Sequence, residues 1–244
     1  MSAPRPTVDE VIGTLQRSCD PTLLAEGIDD IVMLRRFEDE FSEAGLSIMP
    51  LGGRDAVLQI FQRRHELPSE NIILFLADKD LWVYSGIPED FISKKLLFTD
   101  GYSIENDLYR DGNLERLLTA SERLRFEADL NIFVEWYYLS LSKKIMGHDV
   151  SITIHPQAVL QNPNLTAEMA QLRSDIENYD ADLEGFLSEY QKFLRGKSLM
   201  ALLVKQLSRG SRHVKHSVRS LMEHGVVAEG IHIKNIRAWL SGHL

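Results

Sequence analysis

The sequence predicts an α/β fold, a mostly parallel four-stranded sheet flanked by helices, followed by a helical C-terminal extension. Over the first 110 residues, short apolar runs alternate with amphipathic segments, which is typical of strands joined by helical crossovers. After about residue 113 the pattern is helical, and the balance of charge changes. These observations predict an α/β domain over 1–112, an acidic helical extension over 113–190 and a basic helical segment over 191–244.

Each of the four predicted strands is a short apolar run that ends near a turn-forming or acidic residue. The strands are Thr22–Ala25, Leu46–Pro50, Ile72–Ala77 and Leu96–Thr99. The third is continuously apolar, with polar residues at both ends, which fits a central strand that is covered on both faces. Apolar residues recur at helical spacing from Asp29, around Val57 and from Ile104, so helices are predicted after the first, second and fourth strands.

The remainder of the chain is predicted to be helical, with one interruption. A long helical pattern covers Leu114–Met146, a short β-prone break follows over His148–His155, and a long helix or helix pair is expected over Leu165–Leu194. Three shorter helices are predicted at Ser198–Leu207, Val214–His224 and Ile231–Leu240, with glycines at the joints.

Composition excludes several classes of protein. With 44% hydrophobic and 26% charged residues, the 244-residue chain is not disordered. Its single cysteine excludes a disulfide framework and a cysteine-built zinc cluster, and fits a reducing compartment. No apolar run approaches the roughly 20 residues that cross a bilayer, and no signal peptide is recognised, so we expect a cytoplasmic protein without a membrane partner.

The net charge of −9 hides a strong asymmetry along the chain. Residues 1–150 hold 16 Lys and Arg against 27 Asp and Glu, and residues 151–190 hold 1 against 7. Residues 191–244 hold 10 against 2, together with five of the eight histidines. An acidic chain whose last fifth is basic can still present one surface to a polyanion, so the net charge does not exclude a nucleic-acid substrate.

Acidic residues follow three of the predicted strands. Glu26 leaves the first strand, and Asp30 is four residues later, where a helix beginning near residue 29 brings its carboxylate back beside Glu26. Asp78 and Asp80 leave the third strand on the same side, and Glu105 comes after the fourth. An open α/β sheet places its functional residues at these carboxyl ends.

Carboxylates that lie close together repel one another unless a cation shares them. Clusters of oxygen ligands bind hard divalent ions such as Mg²⁺, which complete their coordination with water and substrate phosphate. Two such ions about 4 Å apart stabilise the attacking and leaving oxygens of a phosphodiester transfer. The acidic residues therefore predict a metal site, although each motif alone is more often a helix cap or a solvated loop.

The order of these motifs resembles the Toprim fold shared by topoisomerases, primases and OLD-type nucleases. The resemblance covers roughly residues 20–110 and is carried by Glu26–Asp30 and by the Asp-Lys-Asp run Asp78–Asp80. Tyr102–Asn106 and, more loosely, Phe193–Lys197 are similar to the Toprim-related effector nucleases of PARIS anti-phage defence systems.

The resemblance implies a role for each acidic residue. Glu26 matches the glutamate that serves as general acid or base, and Asp78 and Asp80 match the metal ligands. Asp30 stands where OLD-type proteins often carry a glutamate and is the further expected ligand. Glu105 matches the acid of a later motif and is expected to bind the metal or to position one of its ligands.

The resemblance also implies a function and a partner. It implies a Mg²⁺-dependent endonuclease with one or two ions, Mn²⁺ being the alternative, that acts as a toxic effector of anti-phage defence, or abortive infection. Such an effector cleaves host RNA, with tRNA the implied substrate, once an ATPase sensor subunit similar to AriA releases it. The chain contains no Gly-x-x-x-x-Gly-Lys-Ser/Thr loop, so any ATP dependence comes from another chain.

Basic residues in the last segment are candidates for nucleic-acid binding. They are Lys205, Arg209, Arg212, Lys215 and Arg219, spaced by three or four, together with Lys197 at a predicted helix start. If the segment is helical across Gly210, several of the five share one face and suit contacts with RNA phosphates. The alternative is pairing with the acidic 165–190 region of the same chain or of a second subunit.

Two other functions fit the same residues. One is DNA nicking, since Toprim sites serve both nucleic acids. The other is a non-catalytic Toprim module that docks on the ATPase and regulates it. A homodimer of the active form through the apolar 130–141 segment is a further expectation.

Overall fold

The computed structural model describes residues 6–27, 31–173, 176 and 179–244, and it divides into two units. The first unit comprises the chain up to residue 112 together with 222–244, and the second comprises 113–221. The basic segment predicted over 191–244 is therefore divided between the two units at residue 221.

The first unit contains a four-stranded sheet in which every pairing is parallel. Its strands are β1 (Thr22–Ala25), β2 (Ser47–Pro50), β3 (Ile73–Ala77) and β4 (Leu96–Phe98), in the order β2-β1-β3-β4. The predicted α/β fold with a parallel four-stranded sheet is confirmed, and no predicted strand end is wrong by more than one residue. All residues of β1 and β3 are buried, as expected of central strands.

Helices flank the sheet of this unit. They are α1 (Val8–Leu15), α2 (Ile31–Glu40), α3 (Arg54–Gln62), α4 (Trp82–Ser85) and α5 (Ile104–Asp111). Ile12 of α1 and Phe61 of α3 belong to one buried cluster with Leu24 and Phe75 of the two central strands. Fully burying such a side chain contributes about 1.5–3 kcal/mol, so this cluster holds α1 and α3 against the sheet.

The second unit is helical. It contains α6 (Ala120–Ile145), α7 (Pro156–Leu160), α8 (Leu165–Arg173), α9 (Tyr179–Ser188), α10 (Tyr190–Phe193) and α11 (Gly196–Leu207). Phe126, Phe133 and Tyr137 of α6 are fully buried and form its core. Two predictions are corrected here. The β-prone break over 148–155 contains no strand. In the described part of 165–194, which is 165–173, 176 and 179–194, there are three short helices rather than one or two long ones, and Ile176 is not helical.

The last two helices are α12 (Val218–Val227) and α13 (Ile231–Ser241). The Asp111 carboxylate at the end of α5 accepts hydrogen bonds from the backbone N–H groups of His232 and Ile233, at 3.2 and 2.9 Å. Asp111 thus caps α13 from a distant part of the chain. Gly225 lies directly against the Leu108 backbone, where a Cβ has no room. Among the described helices, none combines the length and apolarity needed to cross a membrane.

Candidate active site at the sheet edge

Glu26 and Asp78 meet at the carboxyl ends of the two central strands. Ala25, the last residue of β1, pairs with Leu76 of β3, so the chain leaves both strands at the same edge of the sheet. The backbone N–H of Asp78 donates a hydrogen bond to Glu26 Oε1 at 2.7 Å. Strand register alone places these two sequence-predicted residues together, and the hydrogen bond fixes the orientation of the Glu26 carboxylate.

Asp78 also connects the sheet edge to α5. Its Oδ1 accepts a hydrogen bond from the backbone N–H of Ile104, the first residue of this helix, at 3.0 Å. A carboxylate is favourable at a helix N-terminus because the unpaired N–H groups there carry partial positive charge. The position of Asp78 therefore depends on α5 as well as on β3.

Asp80 turns away from the strand in a left-handed backbone conformation. Its φ is 47°, and its N–H donates to the Tyr102 carbonyl oxygen at 2.8 Å. Aspartate is among the few residues that adopt this conformation readily. One of its carboxylate oxygens lies 3.8 Å from Nη1 of Arg54, so an arginine that was not among the predicted site residues borders the acidic group.

Glu105 is buried in the first turn of α5 and is only 6% exposed. The Ser103 hydroxyl donates a hydrogen bond to Glu105 Oε2 at 2.6 Å, and Ser103 is also the N-cap of the helix. This contact fixes the Glu105 carboxylate within the turn that holds Asp78. The fifth predicted acid, Asp30, lies outside the described residues.

A cavity of about 550 Å³ opens beside these residues. Glu26 and Asp80 line it together with Arg54 and the loop Leu51–Gly53, which connects β2 to α3. The N–H of Gly52 donates to the Glu26 carbonyl oxygen, which holds this loop against the end of β1. The cavity has room for a phosphate group beside two of the predicted acids.

The predicted ligands supply only oxygen donors, which suit Mg²⁺. Within the described ranges, however, no three of the acids at 26, 78, 80 and 105 bring carboxylate oxygens within 4.8 Å of one another. In the described part of the chain, the group that does bring three ligand atoms within 4.8 Å of one another consists of Asp100, Asp107 and His232.

An arginine already occupies the group around Asp107. Arg110 Nη2 donates to Asp100 Oδ2 at 2.6 Å and to Asp107 Oδ1 at 3.0 Å. The same nitrogen is 3.5 Å from Nδ1 of His232. Burial raises the pKa of the Asp107 carboxyl above its ordinary range, and hydrogen bonds from two backbone N–H groups oppose that rise. Because the guanidinium would repel a second cation, we interpret this cluster as a structural link between α5 and α13.

The basic residues do not form the predicted stripe. Helix α11 ends at Leu207 and α12 begins at Val218, so the stretch that contains Gly210 is not helical. The interruption breaks the single face on which the spacing argument depended. All six predicted basic residues belong to the second unit.

Two of these basic residues pair with acids of α6. Arg212 Nε is 2.9 Å from Glu122 Oε1, and its Nη2 donates to the Leu117 carbonyl oxygen at 3.0 Å. Lys205 Nζ is 2.9 Å from Asp129 Oδ2. Both partners lie on α6 rather than in the acidic 165–190 region. The other four side chains are exposed at the surface of the second unit: Lys197, Arg209, Lys215 and Arg219.

No protein-family model matches the sequence, and no curated protein is significantly similar to it. The Toprim resemblance therefore remains a prediction from the acidic motifs.

Proposed function

We propose that the chain is a Mg²⁺-dependent endonuclease of the Toprim type that cleaves RNA, with tRNA as the proposed substrate. The observation that carries the proposal is the hydrogen bond from the Asp78 backbone to Glu26, at the carboxyl ends of the two central parallel strands. In open α/β sheets, ligands bind outside this edge. The cavity beside Glu26 and Asp80 gives a substrate phosphate room to enter.

Asp78 and Asp80 are the proposed metal ligands, with Asp30 as a further ligand and Glu105 as a ligand or as the residue that positions one. Carboxylates in this chain offer the hard oxygen donors that Mg²⁺ and Mn²⁺ prefer. When bound, the ion stabilises negative charge on the phosphate oxygens as the phosphodiester is cleaved.

Glu26 is the proposed general acid or base. The N–H of Asp78 holds one of its carboxylate oxygens, so the carboxylate keeps one orientation at the edge of the cavity. A fixed carboxylate can take a proton from the attacking group or give one to the leaving oxygen, provided that the phosphodiester lies within hydrogen-bond distance.

The cellular role that we propose is that of a toxic effector of anti-phage defence, similar to AriB of the PARIS system. An AriA-like ATPase sensor subunit is the proposed partner that holds it inactive, and a homodimer is proposed for the released form. The exposed cations of the second unit are proposed contacts for RNA phosphates: Lys197, Arg209, Lys215 and Arg219. Lys205 and Arg212 are included in this surface although they pair with α6.

The test is a cleavage assay with purified protein and Mg²⁺, on total tRNA and on supercoiled plasmid DNA. The variant is Glu26→Gln, which keeps an oxygen for the Asp78 N–H but removes the ionisable group. The matched control is Glu70→Gln, an exposed glutamate before β3 at the opposite edge of the sheet. We expect discrete tRNA fragments from the wild type and the control, and a rate about 1000-fold lower for Glu26→Gln.

Each outcome distinguishes one of the alternatives. Plasmid nicking without tRNA cleavage keeps the site and replaces the substrate with DNA. Cleavage by Glu26→Gln at the wild-type rate contradicts the assignment of the site. If neither substrate is cut, and Glu26→Gln still supports defence in cells, a module that docks on the ATPase and regulates it is favoured instead.

A further inference from the structure

We infer that Arg54 binds a phosphate of the substrate next to the acidic residues, a role that the sequence motifs did not assign to it. The inference rests on the proposed function for the identity of the substrate, and on four observations at Arg54 itself. These are its place in the cavity, its unsatisfied donors, its stacking on an aromatic ring and its distance from Asp80.

Arg54 lies where a phosphate would enter. It is the first residue of α3, directly after the Gly52-Gly53 turn, and it lines the same cavity as Glu26 and Asp80. Gly52 has a φ of 84°, a conformation that favours glycine, so the chain turns sharply from β2 into the helix. Strand β2, the turn and helix α3 together place Arg54 beside Glu26 and Asp80.

The guanidinium of Arg54 has hydrogen-bonding capacity that the protein does not use. Nε and Nη2 are buried and have no hydrogen-bond partner among the described residues. Nη1 is 3.8 Å from Asp80 Oδ2, an ion-pair distance that is too long for a hydrogen bond. Leaving buried donors unpaired is unfavourable, which is why most such groups in native proteins are satisfied. The planar guanidinium matches phosphate oxygens as well as carboxylate oxygens, and a phosphate is the group that the proposed substrate brings.

Stacking holds the Arg54 guanidinium in place before any substrate arrives. Its Cζ lies 3.9 Å from the centre of the Trp82 ring, within the range of a cation–π interaction. The Trp82 ring in turn packs against Phe91 and Phe98, with ring centres 4.9 and 5.5 Å away. Because the side chain is already fixed, it loses little conformational entropy when it binds an anion.

The charge around Arg54 suits a phosphate beside an acidic site. An RNA phosphate that enters this cavity meets the carboxylates of Glu26, Asp55 and Asp80, which repel it. Arg54 is the cation placed at the same cavity, and it offers a planar group that matches phosphate oxygens. We therefore expect Arg54 to contribute to substrate binding more than to the chemical step.

The test compares Arg54→Gln with Arg64→Gln, both in the Glu26→Gln background so that tRNA is not consumed. Arg64 is the matched control because its guanidinium also stacks on an aromatic ring, 4.3 Å from the centre of Phe61. It follows the C-terminal end of α3 and does not line the cavity. Binding of fluorescently labelled tRNA is measured by anisotropy with Mg²⁺, from about 50 to about 200 mM salt.

Arg54→Gln is expected to weaken tRNA binding about tenfold and to reduce the salt slope of log K by about 0.7–0.9, the loss of one phosphate contact. Arg64→Gln is expected to change neither. Arg54→Lys keeps the charge, so we expect it to retain the salt slope while binding more weakly than the wild type. In cleavage assays with Glu26 intact, Arg54→Gln is expected to raise KM more than it lowers kcat.

An unchanged salt slope in Arg54→Gln, or an equal change in Arg64→Gln, overturns the inference. If Arg54→Gln fails to fold, Arg54→Lys decides the question, because wild-type affinity in that variant contradicts recognition by the planar guanidinium. Failure of the proposed function gives a different result: the Glu26→Gln parent then binds no tRNA and the wild type cleaves none. A third result is that Glu26→Gln loses cleavage while Arg54→Gln binds and cleaves tRNA as the wild type does. That result contradicts the role of Arg54 and leaves the proposed function standing.

Discussion

The acidic residues of the first unit and the basic residues of the second were both predicted to cluster from their spacing in the sequence. The two predictions assumed different local structures, paired strands for the acidic residues and one continuous helix for the basic ones. Glu26 and Asp78 follow paired strands, so the register of Ala25 with Leu76 determines that they meet. The basic residues depended on a helix that would continue through Gly210, and that stretch is not helical. Spacing in the sequence therefore predicts which side chains meet when strand pairing fixes the register. It does not when the helix on which the spacing depends is only assumed.

Among the variants that compare the two units, Asp80→Asn is expected to have the largest effect, because it removes a proposed metal ligand beside Glu26. Asparagine also adopts the left-handed conformation seen here, with φ at 47°, so the fold is expected to remain intact. Loss of about 2.7 kcal/mol of charge stabilisation corresponds to a cleavage rate about 100-fold lower. Cleavage of tRNA in Mg²⁺ measures the rate, and urea denaturation measures stability.

Asp80→Ala separates the conformational role of the residue from the chemical one. Alanine is strained at this φ, so the free energy of unfolding is expected to fall by about 1–2 kcal/mol relative to Asp80→Asn. Equal stability of the two variants would contradict the conformational argument. Wild-type cleavage by Asp80→Asn would remove the residue from the metal site.

Arg212→Gln is expected to destabilise the second unit, since this basic residue has a structural partner. It removes the contact between Arg212 Nε and Glu122 Oε1 at 2.9 Å and leaves a mostly buried carboxylate without its cation. We expect the free energy of unfolding to fall by about 2 kcal/mol, as for a hydrogen bond to a charged group. The control is Arg219→Gln, an exposed position where a change within about 0.5 kcal/mol is expected.

Exposed basic residues are expected to affect RNA binding without affecting stability. In a triple variant, Arg209, Lys215 and Arg219 are each replaced by glutamine. If all three contact phosphates, the salt slope of log K for tRNA binding falls by about 2–3, and thermal stability does not change. An unchanged slope would show that this surface does not bind RNA and would favour a role in partner binding.

The smallest expected effect is the pH dependence contributed by Glu122. The N–H and the hydroxyl of Thr119 both donate to its Oε2 at 2.9 Å. These hydrogen bonds, assisted by the charge of Arg212, hold the pKa of Glu122 below its ordinary value of 4.5. The unfolded chain therefore takes up the proton first as the pH falls, so the stabilisation is complete above pH 4.5 and is lost below it.

Chemical denaturation between neutral and acid pH measures this dependence. Glu122→Gln is expected to lose less stability on acidification than the wild type does, because it has no proton to take up at this position. Glu127→Gln is the control, an exposed glutamate on the same helix. Identical acid profiles for the wild type and Glu122→Gln would contradict the assignment.

The sequence predicted the sheet well because each strand is a local apolar run with its own boundaries. It did not predict the role of Arg54, whose neighbours Asp80 and Trp82 follow β3 in the sequence and meet it only in the folded chain. The same holds for the cap that Asp111 provides to α13, since the two lie at distant points in the sequence. Periodicity describes one element at a time, whereas these contacts join two.

The cap on α13 has a consequence for the order in which the chain is made. All four strands have been synthesised before the ribosome reaches the second unit, but residues 222–244, which complete the first unit, follow that unit. Until they emerge, α5 lacks two of its contacts, the one between Leu108 and Gly225 of α12 and the one between Asp111 and the first turn of α13. The N-terminus of α5 is what holds Asp78. We therefore expect Asp78 to be held less firmly in a nascent chain that lacks residues 222–244. The proposed site is then fully assembled only after this segment has been synthesised.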